Sequence, residues 1–282
     1  MTNNHIPYGH HWIDEDDIQA VVDVLRSDWI TQGEMVGLFE RAIAEYCQAK
    51  YAVVVSSATA GLHIASITAG VKPRRNALTS PLTFVASANA ALYCGAKPIF
   101  SDIDPDTYNI CPYTIERSLQ KGHWDEDIAA IIPVHFAGQC CDMELLYQIA
   151  KQHGISIIED ASHALGGALI DGKGKEYPIG SCSHSDMTVF SFHPVKHITT
   201  GEGGVVLTND LGYYENLCEL RNHGITKAQD RIDPNIGPWY YEMQSLGYNY
   251  RITDFQCALG ISQLKKLNSW IKRRREIAQM YN

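Results

Sequence analysis

A single lysine, Lys196, sits in the run Thr188-Val-Phe-Ser-Phe-His-Pro-Val-Lys-His-Ile-Thr-Thr-Gly-Glu-Gly-Gly-Val-Val-Leu-Thr208. Met187 to Phe192 is β-branched and aromatic, Pro194 breaks the pattern, and a glycine cluster precedes a second apolar run from Val205. The lysine is therefore predicted between two buried strands. Burial lowers an ammonium pKa toward neutrality, and the free amine is then nucleophilic enough for Schiff-base chemistry with an aldehyde. A plain surface-loop lysine is the competing reading. The second candidate is Asp160, in Ile157-Ile-Glu-Asp-Ala-Ser-His163, which is expected at the end of a buried strand, where a carboxylate needs a cationic partner. A protonated pyridine nitrogen is one such partner, and an Asp there keeps a ring cofactor effective as an electron sink. Capping the turn that follows is the other role open to Asp160.

Ser57-Ala-Thr-Ala-Gly61, at an expected strand-to-helix turn, offers hydroxyls and backbone N–H groups at a positive helix end, which suits a phosphate. Ser191, five residues before Lys196, can add a hydroxyl to the same anion. Phe84 can stack on a flat ring or fill the core. The glycines of Gly201-Glu-Gly-Gly204 lack dinucleotide spacing and open no helix, so a nicotinamide-type fingerprint is not supported. No metal site is expected. His10-His11 stands in a predicted loop, and His193 to His197 is interrupted by Pro194 with no intervening Glu.

These residues need elements to hold them. Helices are predicted over Asp14 to Asp28 and Val36 to Ala49 from their apolar spacing. Strand and helix then alternate. Strands are expected at Tyr51 to Val55, Asn76 to Ser80, Lys97 to Ile103, Ile128 to Val134 and Ile155 to Glu159. Helices are expected after Gly61, up to Tyr93, at Thr114 to Leu119 and at Met143 to His153. Such alternation implies a parallel sheet covered on both faces, with ligands at the carboxyl ends of its strands. Ser56 to Thr59, Phe84, His135, Asp160 and Ser191 all fall there. A helix at Leu211 to Leu220, an irregular aromatic segment from His223 to Tyr250, an amphipathic helix from Asp254 and its continuation to Tyr281 complete the chain.

At 282 residues, 45% hydrophobic and 20% charged, the chain has an ordinary soluble composition. A net charge of -9 argues against a general nucleic-acid binder, and the basic run Lys272-Arg-Arg-Arg275 reads as a solvated helix face. No leader or membrane span is evident, so a cytoplasmic location is expected, and eight scattered cysteines without a Cys-x-x-Cys pair suggest reduced thiols.

Four motifs stand in order: Ser56-Ser-Ala-Thr-Ala-Gly-Leu, Glu159-Asp-Ala-Ser-His-Ala, Ser191-Phe-His-Pro-Val-Lys-His-Ile-Thr-Thr-Gly-Glu-Gly-Gly and Gly247-Tyr-Asn-Tyr-Arg-Ile-Thr-Asp. Together they resemble the DegT/DnrJ/EryC1/StrS family of sugar aminotransferases, from about Pro7 onward. The resemblance implies an α/β protein with the fold type I, aspartate aminotransferase-like architecture of pyridoxal 5'-phosphate enzymes, its mostly parallel sheet flanked by helices. Residues 1–250 would form an N-terminal arm and the large cofactor domain. Residues 251–282 would be helices leading toward a small C-terminal domain that family members carry and this chain lacks.

Residue by residue, the resemblance implies Lys196 as the Schiff-base lysine, Asp160 as partner of the pyridine nitrogen, His163 near the phenolic oxygen and Phe84 against the ring. Thr59, Ala60 and Ser191 would hold the phosphate, joined by Asn249 from the second subunit of a homodimer, and Arg251 would meet substrate across that interface. Ala58 replaces a usual Gly, a mild change if its φ is negative. The implied reaction moves an amino group from an amino acid, L-glutamate, to a keto group on a nucleotide-linked sugar. The branch most resembled aminates C4 of a UDP-4-keto-6-deoxy-N-acetylhexosamine in pseudaminic acid biosynthesis. The alternatives are a 4-amino-arabinose or other 4-amino-sugar branch, or a non-catalytic relative. The family's dehydratases carry His at the lysine position, so Lys196 speaks against that arm.

Overall fold

The computed structural model describes residues 9–122, 127–226, 237 and 239–282. Two helices, Glu15–Leu25 (α1) and Glu34–Cys47 (α2), precede the first strand, Tyr51–Val55 (β1). Asp14 starts α1 with a reciprocal capping box to Asp17, which satisfies two of the N–H groups a helix start leaves unpaired. Ala58–Thr68 (α3), Arg75–Thr79 (β2), Val85–Tyr93 (α4), Pro98–Phe100 (β3), Pro112–Lys121 (α5), Asp127–Ile132 (β4), Met143–His153 (α6) and Ser156–Asp160 (β5) follow. A hairpin, Ala168–Ile170 (β6) with Glu176–Pro178 (β7), leads to Met187–Ser191 (β8) and Gly204–Thr208 (β9). Leu211–Arg221 (α7), the short pair Ile225–Thr226 (β10) and Glu242–Met243 (β11), Asp254–Leu264 (α8) and Leu267–Tyr281 (α9) end the described elements.

Seven strands form one sheet in the order β1-β9-β8-β5-β4-β2-β3. Every neighbouring pair is parallel except those made by β9, which runs antiparallel to both β1 and β8. Both faces are covered, so β1, β2, β5, β8 and β9 are buried along nearly their whole length rather than at alternate residues. In β1, Val53 and Val55 enter one buried cluster with α3, α4 and α7, while Ala52 and Val54 enter the other with α2 and α8. Because only β9 is reversed, the carboxyl ends of β1, β2, β4, β5 and β8 share one edge with Gly204, the first residue of β9.

Several boundaries differ from the expected ones. The strand expected over Lys97 to Ile103 is confined to β3, because Ser101 onward leaves the sheet for a bridge between Ile103 and Ile110. The C-terminal helix is two helices. Lys265 and Lys266 separate them, and Lys266 turns its ammonium onto Asp14 and Asp17. Nor does α8 show one solvated face: packed between α1 and α2, it buries Asp254, Cys257, Ala258, Gly260, Ser262 and Gln263. Readings of the first eight residues, and of 227–236 within the His223 to Tyr250 segment, lie outside the described residues.

Candidate active site

Phe192 and Ile198 are fully buried and anchor the two ends of the turn that carries Lys196. Thr200 N–H and Thr199 Oγ1 both donate to Phe192 O, at 3.0 Å each, and Lys196 N–H closes on His193 O at 2.9 Å. The loop is thus a closed knuckle with the lysine at its tip. The Lys196 ammonium is half-buried, and burial lowers its pKa, an effect that Asp160 partly offsets.

Asp160 ends β5 with 5% of its surface exposed. Its Oδ1 accepts from Ser162 N–H at 3.2 Å and Ser162 Oγ at 2.6 Å, while Oδ2 accepts from Ser87 Oγ at 2.7 Å. Asp160 therefore does cap the turn after β5, but no helix follows it. Among the described residues no cation forms an ion pair with it. A buried carboxylate held by two hydroxyls and in no direct ion pair is suited to a cationic ring nitrogen.

One cavity of about 510 Å³ joins these groups. Lys196, Asp160, His163, Ser191, Thr59 and Phe84 all line it, and so do Ser57 and Glu202. That volume lies within the range of small-molecule sites, roughly 300–1,000 Å³. Phe84 is 72% exposed and caps the start of α4, so it is not a core residue. His163 is half-buried, and its pKa is lowered by burial and by the nearby Lys196, against the pull of Asp160.

The N-terminus of α3 points its first turn into the same cavity. Ser57 Oγ caps it by accepting Ala60 N–H at 3.1 Å, and Ala60 itself is buried behind the wall. The N–H groups of Ala58 and Thr59 have no acceptor within the helix and are the ones available to an anion. Ala58 is helical without positive φ, so the missing glycine costs nothing in backbone strain. The glycine that matters is Gly204: a Cβ there would stand 2.6 Å from Ala58 N and 2.7 Å from Ser57 C.

Asn249 does not line this cavity. It is exposed, bridges Asn222 through its backbone, and has no positive φ, which removes the left-handed-turn explanation for an Asn at this position. Arg251 lies apart as well, with Nη1 donating to Asn222 Oδ1 at 2.7 Å.

Three supports escaped the sequence reading. Ser87 holds Asp160 across 73 residues. Glu159, on the opposite face of β5, accepts from Ser185 and Thr188 hydroxyls and from His135 Nε2 at 2.7 Å. Because His135 Nδ1 accepts from Cys141 N–H, the proton sits on Nε2. Burial alone would raise the Glu159 carboxyl, but the hydrogen bonds from His135, Ser185 and Thr188 hold it below its ordinary range. The third is Gly138, at φ +91, where a Cβ would stand 2.7 Å from His163 O. The sequence signs of these supports were the Glu-Asp pair and His135 at two strand ends, with nothing to say that they meet.

Residues 11–282 match the model of the DegT/DnrJ/EryC1/StrS aminotransferase family. The chain belongs to that family. Its members are pyridoxal-phosphate enzymes, and this chain is accordingly a pyridoxal-phosphate-dependent aminotransferase whose cavity fits that cofactor. It is 44% identical over 277 residues to the UDP-4-amino-4,6-dideoxy-N-acetyl-beta-L-altrosamine transaminase of Campylobacter jejuni, covering 98% of this chain and 69% of that one. The fold matches Helicobacter pylori PseC, an aminotransferase of pseudaminic acid biosynthesis, with a TM-score of 0.86 at 34% identity, over 99% of this chain and 70% of that one. Streptococcus pneumoniae Spr1654, solved in its PLP form, matches with a TM-score of 0.84 at 31% identity, over 98% and 70%. No helix among the described residues is long and apolar enough to cross a membrane.

Proposed function

We propose that this aminotransferase moves an amino group from L-glutamate to the C4 keto group of a UDP-4-keto-6-deoxy-N-acetylhexosamine, as in pseudaminic acid biosynthesis. The observation that carries the reading is the pairing, in one cavity, of a half-buried lysine with a buried carboxylate that forms no direct ion pair among the described residues. The choice of sugar rests on the 44% identity to the Campylobacter transaminase over nearly the whole chain.

When bound, the cofactor supplies an aldehyde for the amine and a ring that spreads carbanion charge. In this reading Lys196 Nζ would hold the cofactor and, once displaced by the donor's amine, would be the base that takes up and returns the donor's α-proton. Asp160 keeps the ring nitrogen protonated, and Ser87 and Ser162 fix its two oxygens for that task. His163, which lines the same cavity, would neighbour the phenolic oxygen, and Phe84 would cover the ring. Thr59, Ser191 and the N–H groups of Ala58 and Thr59 take the phosphate, with Asn249 of the partner subunit completing that site in a homodimer.

The test is amination of defined keto-sugars with L-glutamate as donor. UDP-4-keto-6-deoxy-N-acetylhexosamine should be converted with kcat/KM at least tenfold above the UDP-4-keto-arabinose value, about 1.4 kcal/mol of discrimination. Preference for the arabinose substrate would overturn the choice of sugar, and no conversion of any keto-sugar would overturn the reaction.

A further inference from the structure

Lys196 lines a second chamber besides the cofactor cavity. It is small, about 200 Å³, and among its walls are His10, His11, His197, Arg273 and Arg274, with no acidic residue in the lining. In a chain of net charge -9 such a one-signed lining is out of keeping with the rest. Arg273 is paired with Glu276 at 3.0 Å, but Arg274 forms no ion pair among the described residues. His197 Nδ1 is buried and has no hydrogen-bond partner. A buried imidazole nitrogen left without a partner costs free energy unless something polar meets it.

We propose that this chamber receives a carboxylate of the amino donor. The inference rests on the aminotransferase reading above. A donor such as glutamate carries two carboxylates, and a planar guanidinium has the fork geometry that matches one. The cofactor cavity holds no arginine, and its lining carboxylates Asp160 and Glu202 would repel an acid. The neighbouring chamber has two arginines and shares Lys196 with the cofactor cavity. Size decides what can enter. At ~30 Å³ per water, 200 Å³ is on the order of seven waters, room for a short carboxylate arm but not for a nucleotide sugar. The positive character of the chamber is felt inside it: burial, then Arg274, His163 and Lys196, press the His197 pKa down to about 4. The histidine is thus a neutral hydrogen-bonding group beside the guanidinium.

The experiment titrates glutarate, a dicarboxylate that cannot react, into the cofactor-loaded enzyme and its variants by calorimetry, alongside steady-state KM values. Arg274→Gln should weaken glutarate about tenfold, the loss of one charge-assisted hydrogen bond, and raise the L-glutamate KM by a similar factor. The keto-sugar KM and the cofactor absorbance should stay as in the wild type, and Arg274→Lys should recover part of the loss. The exposed position of Arg274 makes the fold safe. Wild-type glutarate affinity and glutamate KM in both Arg274→Gln and the double Arg273→Gln, Arg274→Gln variant would overturn the inference. So would a rise in donor KM seen for Arg251→Gln but not for Arg274→Gln. Weakened glutarate binding in an enzyme that aminates no keto-sugar would uphold the chamber and overturn the reaction proposed above. Amination with unaltered glutarate affinity would do the reverse.

Discussion

Asp160 is where a local rule and a functional reading meet in one side chain, since it both caps a turn and borders the cavity. Oδ1 serves the turn by accepting from Ser162, while Oδ2 is steadied by Ser87 and the carboxylate borders the cavity. Replacing Asp160 with Asn keeps the shape and removes the charge, so kcat should fall by at least ~10²-fold while the melting temperature shifts little. A strongly destabilised variant with wild-type turnover per folded molecule would mean that the turn is all Asp160 serves. That Lys196, Asp160, His163, Ser191, Thr59 and Phe84 gather at one cavity was legible, because each lies at or a few residues past the carboxyl end of a strand. Ser87 and the Glu159–His135 pair were not, since nothing local to β5 says which distant hydroxyl or imidazole will reach it. Protonation offers a second check. His197 has a folded pKa near 4 against an ordinary 6.5, so between these values the unfolded chain binds a proton that the folded protein does not. Its contribution to stability is whole above pH 6.5 and is lost as pH falls toward 4. Melting curves across that window should therefore fall more steeply for the wild type than for His197→Gln, and parallel slopes would refute the assignment.

The contact of α3 with the start of β9 shapes the end of the cavity to which we assign the phosphate. A methyl group at Gly204 would collide with the backbone of Ser57 and Ala58, which cannot swing aside as a side chain can. Gly204→Ala should destabilise the protein by roughly 1–3 kcal/mol and, by pushing the first turn of α3 outward, weaken cofactor binding as read by equilibrium dialysis. Unchanged affinity would show that this turn does not hold the phosphate. Most of the sheet was legible as β-branched runs between turn residues, and α1, α2, α6 and α7 as apolar spacing behind caps. The hairpin of β6 and β7 was not, because strands of three residues carry no periodicity. The buried nature of α8 also went unread, since its polar Asp254, Ser262 and Gln263 look solvated until α1 is placed over them. Asp254 in fact accepts from the N–H groups of Gly33 and Met35, and Gln263 donates to Asp17.

At the scale of the whole molecule, the segment from Tyr248 to Tyr250 looks outward. Tyr248 and Tyr250 stack on each other and around buried His63, with Tyr250 Oη 3.0 Å from His63 Nδ1, so the residue between them, Asn249, is left exposed. An Asn held out in this way, and absent from the cavity of its own chain, suits a shared site in a homodimer. Refolding Lys196→Ala chains with Asn249→Asp chains should then restore part of the wild-type activity, because one site of each mixed dimer carries neither defect. Inactive mixed dimers that demonstrably form would sink the idea. The sequence carried the Asn but not its exposure, which depends on an aromatic cluster assembled from α3, α4 and the chain after β11. The claim beneath all of this is that Lys196 holds the cofactor, and borohydride reduction of the pyridoxal-phosphate-loaded protein followed by peptide mass mapping tests it most directly. The account predicts a single cofactor adduct, on the peptide containing Lys196 and lost in Lys196→Ala. An adduct on another lysine, or none in protein that has taken up the cofactor, would contradict it.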